Sequence, residues 1–426
     1  MATATVDRIE QAWDLVGADE AAILQDLARL IAVDTSFPPG DGYGALADLA
    51  EVLVVPLGFS CRRVSVPESL WSTPAGGASG ERINLIAERE SGLPPCSLYF
   101  HIDTVPAGAG WTVPPFALTR ADGRLYGRGA ADMKGTIAAT LAALRALART
   151  GSPLRFAPRL LFCTDEEGGL YPGIRYLAEQ GLIQGHLLSF NGGAAPRIWA
   201  GCFGSIDLLI RIRGRGAHSG DPVGGINAVE EAIPLLNALM ALKTRVEARV
   251  SALPPPPHWA GRPLHARLTI AALHGGQKGS SLPAAFEILV NRRYAPEEAF
   301  AQVRDELEAT IRDAMAGSRA LGVETHLVGH LAPVSDPTGP HWPRWQAALA
   351  RGFGFAPEDF RAWGSSTSSD MGFVQQAGIQ EILLGGLTRP DNNTHAPDEF
   401  TTLEDLVALA RAILLYLSRD FAETRS

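Results

Sequence analysis

An α/β fold with a mixed sheet flanked by helices, interrupted by an inserted α+β unit, is the class this sequence predicts. Three observations carry it. Short apolar runs of strand length alternate with helical patterns through the first two hundred or so residues. From Ser205 the texture changes to strands with polar alternation and long amphipathic helices. After DPTGPHW (336–342) the α/β texture resumes and runs to the end. The chain therefore divides into residues 1–204, an inserted unit at 205–332, and 333–426, the outer two pieces forming one domain.

The elements follow in order. EAAILQDLARLIAVD (20–34) repeats apolar residues at helical spacing and stops before the Pro and Gly of TSFPPGDG. INLIAE (83–88) and SLYFHID (97–103) have strand length, and GTIAATLAALRALART (135–150) reads as a buried helix. RLLFCTDEE (159–167) reads as the next strand. Ligands of such sheets sit beyond the carboxyl ends of the strands, the edge where His101, Asp103, Glu166 and Glu167 fall. In the insert, SIDLLIRIRGRG (205–216) is a strand, residues 226–248 a long helix, and PPPP (254–257) a rigid exposed link. Strands at 266–276 and 286–296, a helix at 297–317 and a strand at 323–331 complete it.

Composition narrows the function. The 37 basic and 46 acidic residues leave a net charge of -9 with no basic run, which argues against nucleic acid as a partner. The four cysteines form no CxxC pair, so a zinc ribbon or disulfide scaffold is not expected and a reducing cytoplasm is. The first twenty residues are polar and amphipathic, without a signal-peptide core. No apolar stretch approaches the ~20 residues of a membrane helix. The expectation is a soluble cytoplasmic protein that handles a small molecule.

Four segments supply metal-type ligands: HIDT (101–104), GRGAADMKG (127–135), TDEEGG (164–169) and NNTHAPDEF (392–400). Imidazole nitrogen and carboxylate oxygen suit zinc, manganese or cobalt. Asp103, two residues after His101, is placed to accept the imidazole's second N–H and fix its orientation. Each segment alone has an ordinary explanation. Asp132 can cap the helix that follows it, and His395 and the paired glutamates can be solvated loop residues.

Together, HIDTVPAG, GRGAADMKG, CTDEEGG, GAHSGDP and NNTHAPDEF resemble the metallopeptidase family of aminoacylase, acetylornithine deacetylase, succinyl-diaminopimelate desuccinylase and glutamate carboxypeptidase. The resemblance implies that the insert is a lid and dimerisation domain, and that the protein is a homodimer or higher homo-oligomer. It implies His101 on one metal, Asp132 bridging two, Glu167 and His395 on the other, and Glu166 as general base. His218 would stabilise the oxyanion, often in the partner subunit's site. Arg293 in NRRYAP would grip a substrate carboxylate, and Asn227 and the Gly385–Gly386 pair would shape the pocket.

One departure stands out. The family normally carries a fifth ligand, a Glu or Asp, between the DEE motif and the lid, where this chain reads HLLSFNGGAAPRIWAGCFG. The matching residue is Asn191, an uncharged and poorer ligand. The expectation is one tight divalent ion per subunit, with the second weak or absent. The resemblance thus implies a C–N hydrolase acting on a small carboxylate-bearing amide, an N-acyl amino acid or dipeptide. The alternatives are a single-metal aminohydrolase of an aromatic amine such as 5-nitroanthranilate, from another branch of that family, and, remotely, a binding protein that has lost catalysis.

Overall fold

Strands Ala157–Cys163, Pro95–His101 and His186–Gly193 place alternate side chains on opposite faces, and both faces are buried. Leu98, Phe100, Leu160, Phe162, Leu188 and Phe190 enter one core, packed by helices Glu20–Ile31, Lys134–Thr150 and Leu403–Leu417. Tyr99, Leu161, Cys163 and Leu187 enter the other, with Ile174, Leu177, Met371 and Val374 from helices Pro172–Glu179 and Met371–Gln376. Burial on both sides explains why these strands read as unbroken apolar runs.

The computed structural model describes residues 2–73, 76–419 and 421. In its main sheet the strand order is Ser60–Ser65, Ile83–Glu88, Ala157–Cys163, Pro95–His101, His186–Gly193, Ile382–Thr388. The last four are parallel, whereas Ile83–Glu88 is antiparallel to both neighbours, so the sheet is mixed. Helix Lys134–Thr150 is rich in alanine, which lets the terminal helix Leu403–Leu417 and the N-terminal helices approach closely. It ends at Gly151, whose φ of 59° is the left-handed conformation that glycine adopts without a Cβ penalty.

The insert has its own sheet and core. Strands Arg267–Gly275, Ala285–Tyr294, Gly204–Arg213 and Gly322–Leu331 pair antiparallel in that order. Ile206, Leu208, Ile210 and Ile212 face helices Ala228–Glu247 and Phe300–Met315. Among the described residues, no helix is long and apolar enough to cross a membrane.

Two expectations change in detail, and the N-terminal stretch gains a structure. RLLFCTDEE leaves the sheet at Cys163, because the backbone of Asp165 reverses at φ 52° and carries the acids into a turn. SLYFHID likewise ends its strand at His101, so Asp103 lies just past the sheet edge. The polar N-terminal stretch forms a helix, Ala2–Ala18, that buries Ile9, Ala12 and Val16.

Candidate metal centre

The parallel strands end at one edge, and the next few residues of each build the site. His101 ends its strand with its ring wholly buried. Its Nε2 lies 3.1 Å from Asp132 Oδ1. Its Nδ1 lies 3.0 Å from the carbonyl oxygen of Asp103 and 3.5 Å from that residue's Oδ1. The expectation for the Asp103 carboxylate is thus corrected: the main-chain carbonyl is the nearer acceptor for the second ring N–H. The carboxylate's Oδ2 instead accepts from the Glu167 backbone N–H at 2.8 Å, tying two ligand loops together.

Asp132 does not cap a helix. Helix Lys134–Thr150 has no side-chain cap, and the Asp132 side chain points into the cluster. What aims it is Glu399, a fully buried acid from the NNTHAPDEF segment. Glu399 accepts from the backbone N–H groups of Ala131 at 3.0 Å and Asp132 at 3.1 Å through Oε1. Its Oε2 accepts from Arg128 Nη1 at 2.7 Å and from the Gly129 N–H at 3.2 Å. Pairing of Phe400–Thr402 with Arg124–Tyr126 brings the two segments together.

His395 completes the cluster from the far end of the chain. Its Nε2 lies 3.1 Å from Glu167 Oε1 and 3.3 Å from Asp132 Oδ2. The residue sits at φ 65°, an uncommon conformation for a non-glycine residue, between Asn393 at 54° and Asp398 at 57°. Asp398 anchors this turn by accepting from the Thr112 N–H at 2.8 Å.

These donors fit a divalent cation. Metal–ligand bonds of about 2.0–2.1 Å in tetrahedral array put neighbouring donor atoms roughly 3.3 Å apart, the spacing of His395 Nε2 from both carboxylates. His101, Asp132 and Glu167 also bring one donor atom each within 4.8 Å of one another. The charge balance agrees. Asp103, Asp132, Glu166, Glu167 and the buried Asp370 outnumber the two imidazoles, and Asp103 Oδ1 is buried without a hydrogen-bond partner.

The same crowding shifts the titrations. Burial would lower His101, but hydrogen bonds and charges of Asp103 and Asp132 outweigh it and hold the ring well above its usual range. Hydrogen bonds to Asp132 and Glu167 push His395 up to about 10. Asp132 is held well below the usual carboxylate range, burial being outweighed by both imidazoles. Burial raises Glu167, and raises Glu166 further, with Asp370, Glu167 and Asp132 adding like charge.

Glu166 stands apart from the ligand cluster. Its Oε1 accepts from Asn191 Nδ2 at 2.6 Å. Asp370, at the start of helix Met371–Gln376, is buried nearby and takes the Tyr99 hydroxyl at 2.5 Å. Burial pushes its carboxyl up to about 7.

The remaining expected residues lie in the insert, apart from the Gly385–Gly386 pair in strand Ile382–Thr388. Arg292 is buried and paired with Glu298 at 2.5 Å, which leaves Arg293 as the arginine that reaches the catalytic domain, donating to Ser368 Oγ at 2.7 Å. Tyr171 packs against Leu331, Ala332 and Phe373, and burial with the charges of Asp207 and Glu166 pushes its hydroxyl pKa up. Asn227 is the N-cap of helix Ala228–Glu247: its Oδ1 accepts from Val229 N–H and its Nδ2 donates to Glu230, so its side chain serves the helix. His218 lies in an exposed turn, its Nδ1 accepting from the Gly220 N–H at 3.1 Å. Gly385 and Gly386 meet other neighbours: a Cβ would strike Trp345 at the first and the Gly192 carbonyl at the second.

Sequence reasoning missed Glu399, Asp370, Tyr99 and Tyr171. Glu399 stood inside a quoted motif, and an acid between Asp and Phe in a ligand segment was a usable signal. Asp370 in GSSTSSDMGF and Tyr171 carried none.

Comparison with known proteins extends the geometry. The profile described as Peptidase family M20/M25/M40 matches residues 97–419. The chain is 30% identical over 360 residues to a succinyl-diaminopimelate desuccinylase of Xylella fastidiosa (strain 9a5c), covering 81% of this chain and 88% of that one. Its fold resembles a dipeptidase of Saccharomyces cerevisiae, with a TM-score of 0.78 at 15% identity over 98% of this chain and 99% of the other. It also resembles human carnosine dipeptidase 1, with a TM-score of 0.75 at 18% identity over 96% and 98% of the two chains. With its acid-rich cluster in place at the sheet edge, this chain belongs to Peptidase family M20/M25/M40 and is a metal-dependent hydrolase of C–N bonds.

Proposed function

We propose that this hydrolase cleaves the amide of a small carboxylate-bearing molecule, an N-acyl amino acid or a dipeptide. The observation that carries the reading is the split between adjacent glutamates. Glu167 touches His395 inside the ligand cluster, whereas Glu166 is turned to Asn191. Asp132, Glu167 and His395 would hold one zinc, manganese or cobalt ion, with His101 on the other oxygen of Asp132. When bound, such an ion polarises a carbonyl and brings the pKa of water towards ~7. Glu166 takes the proton of the attacking water on its carboxylate and returns it to the leaving nitrogen. Its raised pKa suits a group that must hold that proton for part of the cycle.

Arg293 is the residue we assign to the substrate carboxylate, since its guanidinium fork faces the seam between lid and catalytic domain. Among the described residues no hydrogen bond or ion pair joins His218 to this chain's ligand cluster, its ring bonding locally to the Gly220 N–H, which supports a role in the site of a partner subunit. We accordingly read the protein as a cytoplasmic homodimer built through the lid, with one tightly held ion per subunit. Asn191 also favours a second reading. The His101 side of Asp132 gains no charge from an amide, and a site with one strong ion suits hydrolysis of an aromatic amine with release of ammonia.

Two measurements test this. Glu166→Gln should abolish turnover and keep the metal, while Glu167→Gln should lose both; stripping of metal by Glu166→Gln would mean the roles are exchanged. A screen of N-acyl amino acids, dipeptides and aminobenzoates, scored for amine and ammonia, separates the two substrate classes. Turnover of aminobenzoates alone would overturn the amide reading.

A further inference from the structure

Strand His186–Gly193 runs parallel to Pro95–His101 and carries Asn191 to the edge where the metal-type ligands gather. There its amide makes the one hydrogen bond to the Glu166 side chain among the described residues, Nδ2 to Oε1 at 2.6 Å. While Glu166 is ionised, its chemistry selects which amide atom faces it. An ionised carboxylate only accepts, so the NH2 group must point at it. Besides the opposing charge of His101, the largest charges acting on Glu166 are acidic: Asp370, Glu167 and Asp132. Asp370 already takes the Tyr99 hydroxyl and has nothing to donate while ionised.

A glutamate has three rotatable side-chain bonds. Placed one residue from Glu167 and beside a divalent cation, an untethered Glu166 would swing onto the ion and become another ligand. A carboxylate bound to metal is a poor proton acceptor. Something has to hold Glu166 off.

We propose that Asn191 is a positioning residue for Glu166: its amide tethers the carboxylate away from the cation and so keeps one of two adjacent glutamates free as base. The proposal rests on the reading of Glu166 as general base. It assigns Asn191 to the acid beside it and not to the metal's own shell. The two roles predict opposite changes in metal retention. Removing a ligand loosens the ion, whereas removing the tether lets Glu166 reach the ion and holds it as well or better.

The test uses the full-length protein loaded with zinc, comparing wild type with Asn191→Ala, Asn191→Gln, Glu166→Gln and the Glu166→Gln/Asn191→Ala double variant. Zinc retained per chain is measured during dialysis against a graded chelator. Turnover is measured on whichever N-acyl amino acid or dipeptide the wild type cleaves fastest. Asn191→Ala should retain zinc at least as well as wild type and lose about ten- to hundredfold in kcat, the usual effect of one charge-assisted hydrogen bond, with KM within about twofold. Asn191→Gln, which keeps the donor on a longer arm, should recover part of that loss. The double variant should be no slower than Glu166→Gln alone.

Weaker zinc retention in Asn191→Ala makes Asn191 a ligand and overturns the proposal. Unchanged turnover in Asn191→Ala, or losses that multiply in the double variant, overturn it as well. Wild-type-like turnover of Glu166→Gln instead removes the base assignment itself, a distinct failure.

Discussion

Glu399→Gln is the sharpest probe of how the metal centre is held, because Glu399 lies outside the ligand cluster. Its two oxygens accept from three backbone N–H groups and from Arg128. A glutamine can serve only one side. With its oxygen towards Ala131 and Asp132, its NH2 group faces Arg128 and Gly129, donor against donor. With the amide flipped, the backbone of Asp132 loses its acceptor. Arg128 is buried, and among the described residues it finds no second acid, only carbonyls of Pro106 and Ala107 at 3.4 Å and the face of Trp111. Breaking a buried pair from one side costs about 3–5 kcal/mol. That is a large share of the ~5–15 kcal/mol that a domain possesses. Urea unfolding should show this loss, and metal analysis should show reduced zinc retention although no ligand was changed. Glu404→Gln, an exposed acid near by, is the control. A Glu399→Gln protein with wild-type midpoint and wild-type zinc content would refute the idea that this acid aims Asp132.

Three further outcomes follow from the same geometry. Because His395 is raised to about 10 and His101 is also raised, both bind protons at neutral pH without metal, so zinc must displace them. Apparent zinc affinity should climb about ten- to hundredfold per pH unit between pH 6 and 8; a flat profile in zinc titrations would reject this. Burial and the charge of His341 push His186 down to about 3, so the folded chain keeps it neutral while the unfolded chain protonates it below about 6.5. Stability is therefore undiminished above pH 6.5 and falls as pH drops towards 3, the loss reaching about 2 kcal/mol at pH 5. Urea midpoints at pH 7 and 5 should therefore converge for His186→Gln relative to wild type, and equal pH sensitivity would contradict it. His218→Ala should lower kcat and spare metal content if the ring acts on developing negative charge. A fall in zinc content instead would place it among the ligands.

Much of this was legible in the residues. Strand and helix types at 83–88, 135–150 and 286–296 followed from periodicity, because both faces of the main sheet and one face of the insert's are buried. The ligand set His101, Asp132, Glu167 and His395 came from motifs, and the structure gathers all four. Other features depended on long-range pairing that no local pattern encodes. Glu399 acts only because Phe400–Thr402 pairs with Arg124–Tyr126. Asp370 becomes relevant only where its helix start meets Tyr99 across the sheet face. Asn227 shows how a local role hides in a motif: an Asn before Ala-Val-Glu-Glu is also a good helix cap, and its side chain caps Ala228–Glu247.

His395 enters the chain long after the other three ligands, with the whole insert between it and Glu167. Asp132 and Glu167 thus precede the insert in the chain, whereas the second imidazole that meets both of them follows it. A product that stops short of residue 395 would carry most of the negative charge of the site without the imidazole that closes it. It would also lack the terminal helix Leu403–Leu417 that covers the sheet. His395 can therefore join an ion to Asp132 and Glu167 only once the segments on either side of the insert have met.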